Sequence, residues 1–276
     1  MFGKPRMFGK PSTFRERLNR AAWIGRRRKT ACPRGDGGGA MSSMAESWMI
    51  DELAHAGPEH LDPDFVAGYE RKQGYPDPSS DLDIFERQGL GPGSEVIDLG
   101  AGLGQFAIAA ARRFGHVTAV DVSPVMLDAL RHRAAAAGLA NLDCVQAGFL
   151  SYTRSGPLAD GVYTRHALHQ LPDFWKVLAL NRIAALLRPG GVLRLRDLIY
   201  DFAPEQAGEV FAGWFAQAAS NPVEGYTGKD YAVHIRTEFS TFRWLLEPML
   251  TATGFEIVDA EFAGRLYGAY TCLRTG

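Results

Sequence analysis

Between Ser94 and Leu198, strand-like apolar runs alternate with helical stretches, and this alternation restricts the fold more than any other feature of the chain. The runs SEVIDLG, HVTAVDV, NLDCVQ, DGVYTR and VLRLRDL carry the Val, Ile and Leu content of buried strands. Among them lie the helical stretches GQFAIAAARRF, closed by Gly115, and VMLDALRHRAAAAG, with Ser123 as N-cap and Pro124 in its first turn. A third, PDFWKVLALNRIAALL, is followed by the turn RPGG. Strands joined through helices at this spacing lie parallel, because a parallel neighbour is reached only by a long crossover. Two helices are predicted upstream, DPDFVAGYERKQGY and SSDLDIFERQGL, the second capped by Ser80 and stopped by Gly89. Residues 199–238 form a long insertion with helical stretches, after which STFRWLLEPMLTATG predicts a helix kinked at Pro248. FEIVDAEF and LYGAYTCLRT then follow with only AGR between them, which makes them an antiparallel hairpin. The expected fold is a doubly wound α/β sheet of about seven strands, mostly parallel with one antiparallel C-terminal strand, and with a helical insertion after the fifth.

Composition bounds the partners. With 30 basic and 31 acidic residues the 276-residue chain carries no polyanion-binding signal, so nucleic acid is not an expected partner. Cys32, Cys144 and Cys272 are widely separated and form no C-x-x-C pair, which argues against a disulfide framework and a zinc site. No metal centre is expected, and a reducing, cytoplasmic location suits the thiols. No apolar stretch approaches the roughly 18 residues that span a bilayer, so no membrane partner is expected either. Residues 1–47 stand apart: a duplicated MFGKP and the segment GRRRKTACPRGDGGGA are rich in Arg and Gly and nearly free of acids. Such a segment buries too little apolar surface to offset ordering entropy, so a disordered basic extension is expected ahead of one domain at 48–276.

The stretch VIDLGAGLGQF places Gly100, Gly102 and Gly104 directly after a buried strand. Glycines let a ligand lie against the main chain, and ligands of open α/β sheets sit beyond the carboxyl ends of the strands, at the switch point. A dinucleotide fingerprint reads G-x-G-x-x-G; here the third glycine comes one residue too early, and Asp98 precedes the turn. A pyrophosphate gains nothing from that carboxylate, whereas a ligand bearing ammonium or sulfonium does. Asp121 ends the second strand, where an acid accepts hydrogen bonds from both ribose hydroxyls; it identifies adenosine in either cofactor class. Asp160, at the start of the fourth strand, is expected to pair with Arg194 or Arg196.

Four motifs in order, VIDLGAGLGQF, VTAVDVSPVML, DGVYTRHALHQLPD and LLRPGGVLRLRDL, resemble those of class I S-adenosylmethionine-dependent methyltransferases, and the resemblance runs from about Leu61 to Arg274. It implies a Rossmann-like fold, S-adenosyl-L-methionine as cofactor, and methyl transfer by in-line displacement to a small-molecule acceptor. By that resemblance Ala101, Gly102 and Gly104, with Gly100, contact the amino-acid end of the cofactor. Asp121 holds the ribose, Val122 and Met126 flank the adenine, and Arg165 lies near the methionine moiety. Many relatives carry an acid after the third strand for the adenine amino group; here VQAGFL puts Gly148 there, with Phe149 against the purine. Met126 equally suits a helix core.

His169 is the expected general base for a hydroxyl acceptor because it follows the fourth strand at the pocket mouth, against the reading of a helix-start histidine satisfied by backbone. His166 and His234 are weaker alternatives. The acceptor pocket is expected from Tyr69, Lys72 and Tyr75 in the N-terminal helices and from Trp214, Phe215, Tyr226, His234 and Arg236 in the insertion. RHAL lacks the Asn/Asp-Pro-Pro-aromatic pattern of relatives that methylate nucleobase or glutamine amines. Two other readings stay open: a nicotinamide-dependent dehydrogenase, which predicts tight NADH binding, and a non-catalytic module of the same fold.

Overall fold

The computed structural model describes residues 48–276; the basic segment expected to be disordered lies outside them. Ile50–Gly276 form one compact unit. The strands are β1 (Glu95–Leu99), β2 (His116–Asp121), β3 (Leu142–Gln146), β4 (Ala159–Arg165), β5 (Leu187–Tyr200), β6 (Thr241–Phe242), β7 (Phe255–Ala263) and β8 (Tyr267–Arg274). The helices are α1 (Pro63–Lys72), α2 (Ser79–Arg87), α3 (Gln105–Ala110), α4 (Pro124–Ala136), α5 (Asp173–Leu186), α6 (Ala207–Ala216), α7 (Gly228–Thr237) and α8 (Arg243–Ala252). The eight-stranded sheet has the order β3-β2-β1-β4-β5-β8-β7, with β6 added beside β5. Among the described strands only β8 runs against its neighbours β5 and β7, the reversed strand that the short link before it demands. In the three-residue link Gly264–Leu266, Gly264 and Arg265 occupy the left-handed region at φ 59° and 62°, the central positions of a turn closed by Leu266 N donating to Ala263 O at 3.2 Å.

Alternation along β1 sends Val96 and Asp98 to one face and Ile97 and Leu99 to the other. Ile97 and Leu99 pack with Leu180, Ile183, Leu246 and Leu250 of α5 and α8. Val96 packs with Phe85, Phe106 and Leu130 of α2, α3 and α4. Ser123 caps α4 by accepting from Met126 N at 3.1 Å. Three local expectations change. The helix after the glycines ends at Ala110 rather than Phe114, because the chain must turn back to Gly115, whose missing side chain lets it pass the Pro92 carbonyl. The RPGG turn is a bulge inside β5, where Ala159 to Gly161 of β4 face Leu187 to Val192. And α2 starts at Ser79, whose N–H and hydroxyl both donate to Asp77, not at a Ser80 cap.

Asp160 does not pair with Arg194 or Arg196. It accepts from Arg188 Nε at 2.7 Å and Glu95 N at 2.8 Å. Register explains this: Arg194 sits beside Tyr163 and Arg196 beside Arg165, well along β4 from Asp160 at its start. Both arginines instead reach Asp81 of α2, Arg194 Nε at 2.9 Å and Arg196 Nη1 at 2.7 Å. No described helix is long and apolar enough to cross a membrane.

Candidate active site

Three adjoining cavities open at the carboxyl ends of β1, β2, β4 and β5, and Tyr69, Arg165 and His166 line all three. The first, about 250 Å³, holds the glycine turn: Asp98, Gly100, Ala101 and Gly102 line it with Phe106, Tyr163 and Arg196. Gly100 and Gly102 have φ 74° and 53°. A Cβ on Gly100 would fall 2.4 Å from the Ala167 Cβ, so the loop after β4 can close on the turn only because the side chain is absent. Gly104 lines none of the three cavities; it packs on Leu130, 2.6 Å from where its Cβ would be. Its missing side chain lets the turn sit on α4.

Asp98 is 2% exposed, and no basic side chain among the described residues pairs with it. Burial, the Asp121 charge beyond it and a single backbone bond from Ala107 leave its pKa pushed up to about 8. A carboxylate so placed gains most from a cation entering the cavity. Asp121 is oriented by Gly102 N on Oδ2 and Ser123 N on Oδ1, both at 2.8 Å.

The second cavity, about 100 Å³, is lined by Asp121, Val122, Met126, Gly148 and Phe149. Met126 also packs with Val66 and Leu103, so it serves both core and wall. Glu52 enters here from a distant part of the chain. Its Oε1 accepts from Leu150 N at 3.0 Å and its Oε2 from Ser151 Oγ at 2.8 Å, so a carboxylate stands where the Gly148 loop itself has none.

The third cavity, about 750 Å³, lies between the sheet, α1 and the 199–238 insertion. Phe65, Tyr69, Lys72, Trp214, Tyr226, Tyr231, His234 and Tyr267 line it, with Trp214 stacked on Tyr231 at 4.0 Å. Arg71 Nε bonds to Val223 O at 2.8 Å and Gln73 Nε2 to Tyr226 Oη at 3.1 Å, which ties the insertion to α1. Tyr75 belongs to none of the three: it is 67% exposed on a left-handed turn at φ 50°. Phe215 and Arg236 likewise lie outside the lining.

His169 lines the third cavity, but both ring nitrogens are engaged: Nδ1 meets Asp197 at 2.5 Å and Nε2 meets Glu238 at 2.9 Å. Burial lowers its basicity, yet the carboxylates more than offset this and hold its pKa at about 10. With no free lone pair it is not placed to take a proton. Glu238, raised by burial and lowered by its bonds from His169 and His234, stays near 2. His166, at φ 49°, is the neutral imidazole, pushed down to about 3 by burial and by Arg165. Asp197, Glu238, Gln170 and Glu52 were absent from the expected site. The available signal was position: Asp197 is the acid near the carboxyl end of β5, where ligands of such sheets gather.

Residues 96–191 match the family described as a methyltransferase domain. No curated protein matches the chain by sequence. Among solved structures, phosphoethanolamine N-methyltransferase 2 of Haemonchus contortus with S-adenosyl-L-methionine is 17% identical at TM-score 0.61, covering 83% of this chain and 61% of that one. Magnesium protoporphyrin IX methyltransferase of Synechocystis PCC 6803 is 15% identical at TM-score 0.58, covering 82% and 100%. The [4+2]-cyclase SpnF is 19% identical at TM-score 0.54, covering 71% and 80%. At these identities the likeness is one of fold. Residues 96–191 thus match a methyltransferase domain, and the mixed α/β fold around them is the one these structures share.

Proposed function

We propose that this protein transfers the methyl group of S-adenosylmethionine to a small molecule held in the 750 Å³ cavity. The observation that carries the reading is Asp98, a buried carboxylate with no cationic partner beside the glycine turn, in a cavity that joins the acceptor cavity at Tyr69, Arg165 and His166. Gly100 to Gly102 and Asp98 suit the amino-acid end of the cofactor; Asp121, Val122, Met126 and Phe149 suit its adenosine. When bound, the cofactor supplies a methyl group already activated by its sulfonium sulfur. The chain's task is alignment, which can supply roughly 7–11 kcal/mol. Tyr69, half-buried and with its phenol held well above the usual range by desolvation, keeps its proton and walls the junction. The 199–238 insertion acts as roof, and its rings exclude water from a partly apolar acceptor.

The test is transfer of label from methyl-labelled cofactor to a cell-extract fraction freed of macromolecules, together with calorimetry against S-adenosylmethionine and NADH. Label in a small molecule and selective binding of S-adenosylmethionine are expected; tight NADH binding alone sinks the reading.

Glu52 takes the role of the acid missing after β3, accepting from the adenine amino group through a lone pair that its loop contacts leave free. Glu52→Ala is expected to weaken cofactor binding by about tenfold or more, the worth of one hydrogen bond to a charged acceptor. Calorimetry giving an unchanged Kd would reduce Glu52 to a loop clamp.

A further inference from the structure

The geometry points to a binding site for a first-row divalent cation formed by His169, His234 and Glu238 on the wall of the acceptor cavity. These residues come from the turn after β4, from α7 and from the segment after it, and their ligand atoms lie within 4.8 Å of one another. The inner nitrogens converge on one oxygen: Glu238 Oε2 is 2.9 Å from His169 Nε2 and 2.6 Å from His234 Nδ1. Each outer nitrogen is already held, His169 Nδ1 by Asp197 at 2.5 Å and His234 Nε2 by Ser240 Oγ at 2.7 Å. An imidazole whose far nitrogen is fixed by an outer partner is the usual supporting arrangement of a metal-binding histidine, and here it occurs twice around one carboxylate. The Gln170 amide lies 3.1 Å from both His169 Nε2 and Glu238 Oε2; turned over, it offers an oxygen as a fourth ligand.

The surroundings are rigid. Asp197 Oδ2 also accepts from His169 N at 3.0 Å, and the buried Lys176 ammonium holds the Phe239 carbonyl next to Glu238 at 2.5 Å. Two imidazoles and a carboxylate suit zinc, cobalt, iron or manganese with positions left over. Cysteine spacing was no guide, because the set holds no thiol and spans residues 169–238.

His169, His234 and Glu238 line the third cavity and neither of the other two, so the cation faces the acceptor rather than the cofactor. It displaces the hydrogens now shared between the imidazoles and Glu238, which pass to solvent as protons. An acceptor oxygen or nitrogen bound at an open position is polarised by it and loses its proton more easily. This extends the methyl-transfer reading by giving the acceptor a metal-binding heteroatom, although the cation site itself stands without it.

The test is a titration of the untagged full-length protein, stripped with chelator and free of cofactor, with Co²⁺ followed by visible absorbance. A single saturable site is expected, displaced by Zn²⁺, with nitrogen and oxygen ligand-field bands and no thiolate charge-transfer band. Glu238→Gln and His234→Ala are expected to weaken it by about tenfold or more while S-adenosylmethionine binding persists; His132→Ala, on the exposed face of α4, leaves the titration unchanged. Absence of a saturable band, a thiolate band in the parent, or undiminished binding in both site variants overturns the proposal. Because no cofactor is present, its failure leaves the methyl-transfer reading intact, and Co²⁺ binding without methyl transfer separates the two in the other direction.

Discussion

Asp98→Asn is expected to give a protein more stable than its parent at pH 8 and unable to bind S-adenosylmethionine measurably. The carboxyl has a folded pKa of about 8 against an unfolded value near 4, so between these values the folded chain binds the extra proton. Its contribution to stability is therefore full below about pH 4 and is lost as pH rises toward 8. The amide carries no charge and escapes that loss, so the variant's advantage grows with pH to the order of a few kcal/mol. Affinity moves the opposite way. A cationic ligand binds the ionised carboxylate, so the parent's affinity rises with pH up to about 8, with a proton released on binding at lower pH, whereas the variant's stays flat and weak. Denaturant curves at pH 5 and 8, with calorimetry in buffers of different ionisation heat, read both effects. An Asn variant that kept parental affinity, or was the less stable at pH 8, would remove the cation from the glycine turn.

The parts that were legible in the sequence share one property: their partners are close along the chain. The turn at Gly100 to Gly102, the cap of Ser123 on Met126 and the reversed β8 each follow from a few adjacent residues, and each is where it was expected. Gly104 was legible as a residue that must lack a side chain, and what fills the space beside it is Leu130 of α4. Tyr75 failed because nothing local distinguishes a ring on the cavity side of α1 from one just past its end; Tyr69, a turn and a half earlier, faces in.

His169 shows the limit most clearly. Its place after β4 was readable, but its chemistry is set by Asp197 and Glu238, brought to it by strand order and by the fold of the insertion. Glu52 is the same case in reverse. Its carboxylate reaches the third-strand loop from the far end of the domain, and only the assembled cavity brings the two together.

Asp81→Ala carries the largest expected loss of stability. Asp81 is fully buried and accepts from Arg194, Arg196 and Tyr163 Oη, the last at 3.1 Å. Arg194, itself 2% exposed, keeps only Thr271 Oγ1 at 3.1 Å and a long 3.4 Å contact to the exposed Glu261 once the carboxylate is gone. Breaking a buried pair from one side typically costs about 3–5 kcal/mol, because the remaining charge stays in a poor solvent. The Arg196 side chain is 34% exposed and can turn to water, so the lower end of that range is the better expectation; in a chain of this size it means a Tm lower by about 6–12 °C. Pairing Asp81→Leu with Arg194→Met removes both charges, and replacement of both partners by apolar groups is often neutral. The double variant should therefore recover most of the loss, an interaction that a double-mutant cycle with Asp81→Leu and Arg194→Met as its single variants measures directly. If the double variant is no more stable than Asp81→Ala alone, the loss comes from packing around α2 rather than from a stranded guanidinium. Since Asp81, Tyr163 and Arg196 also line the glycine-turn cavity, cofactor affinity should fall with the single change and return only in part with the pair.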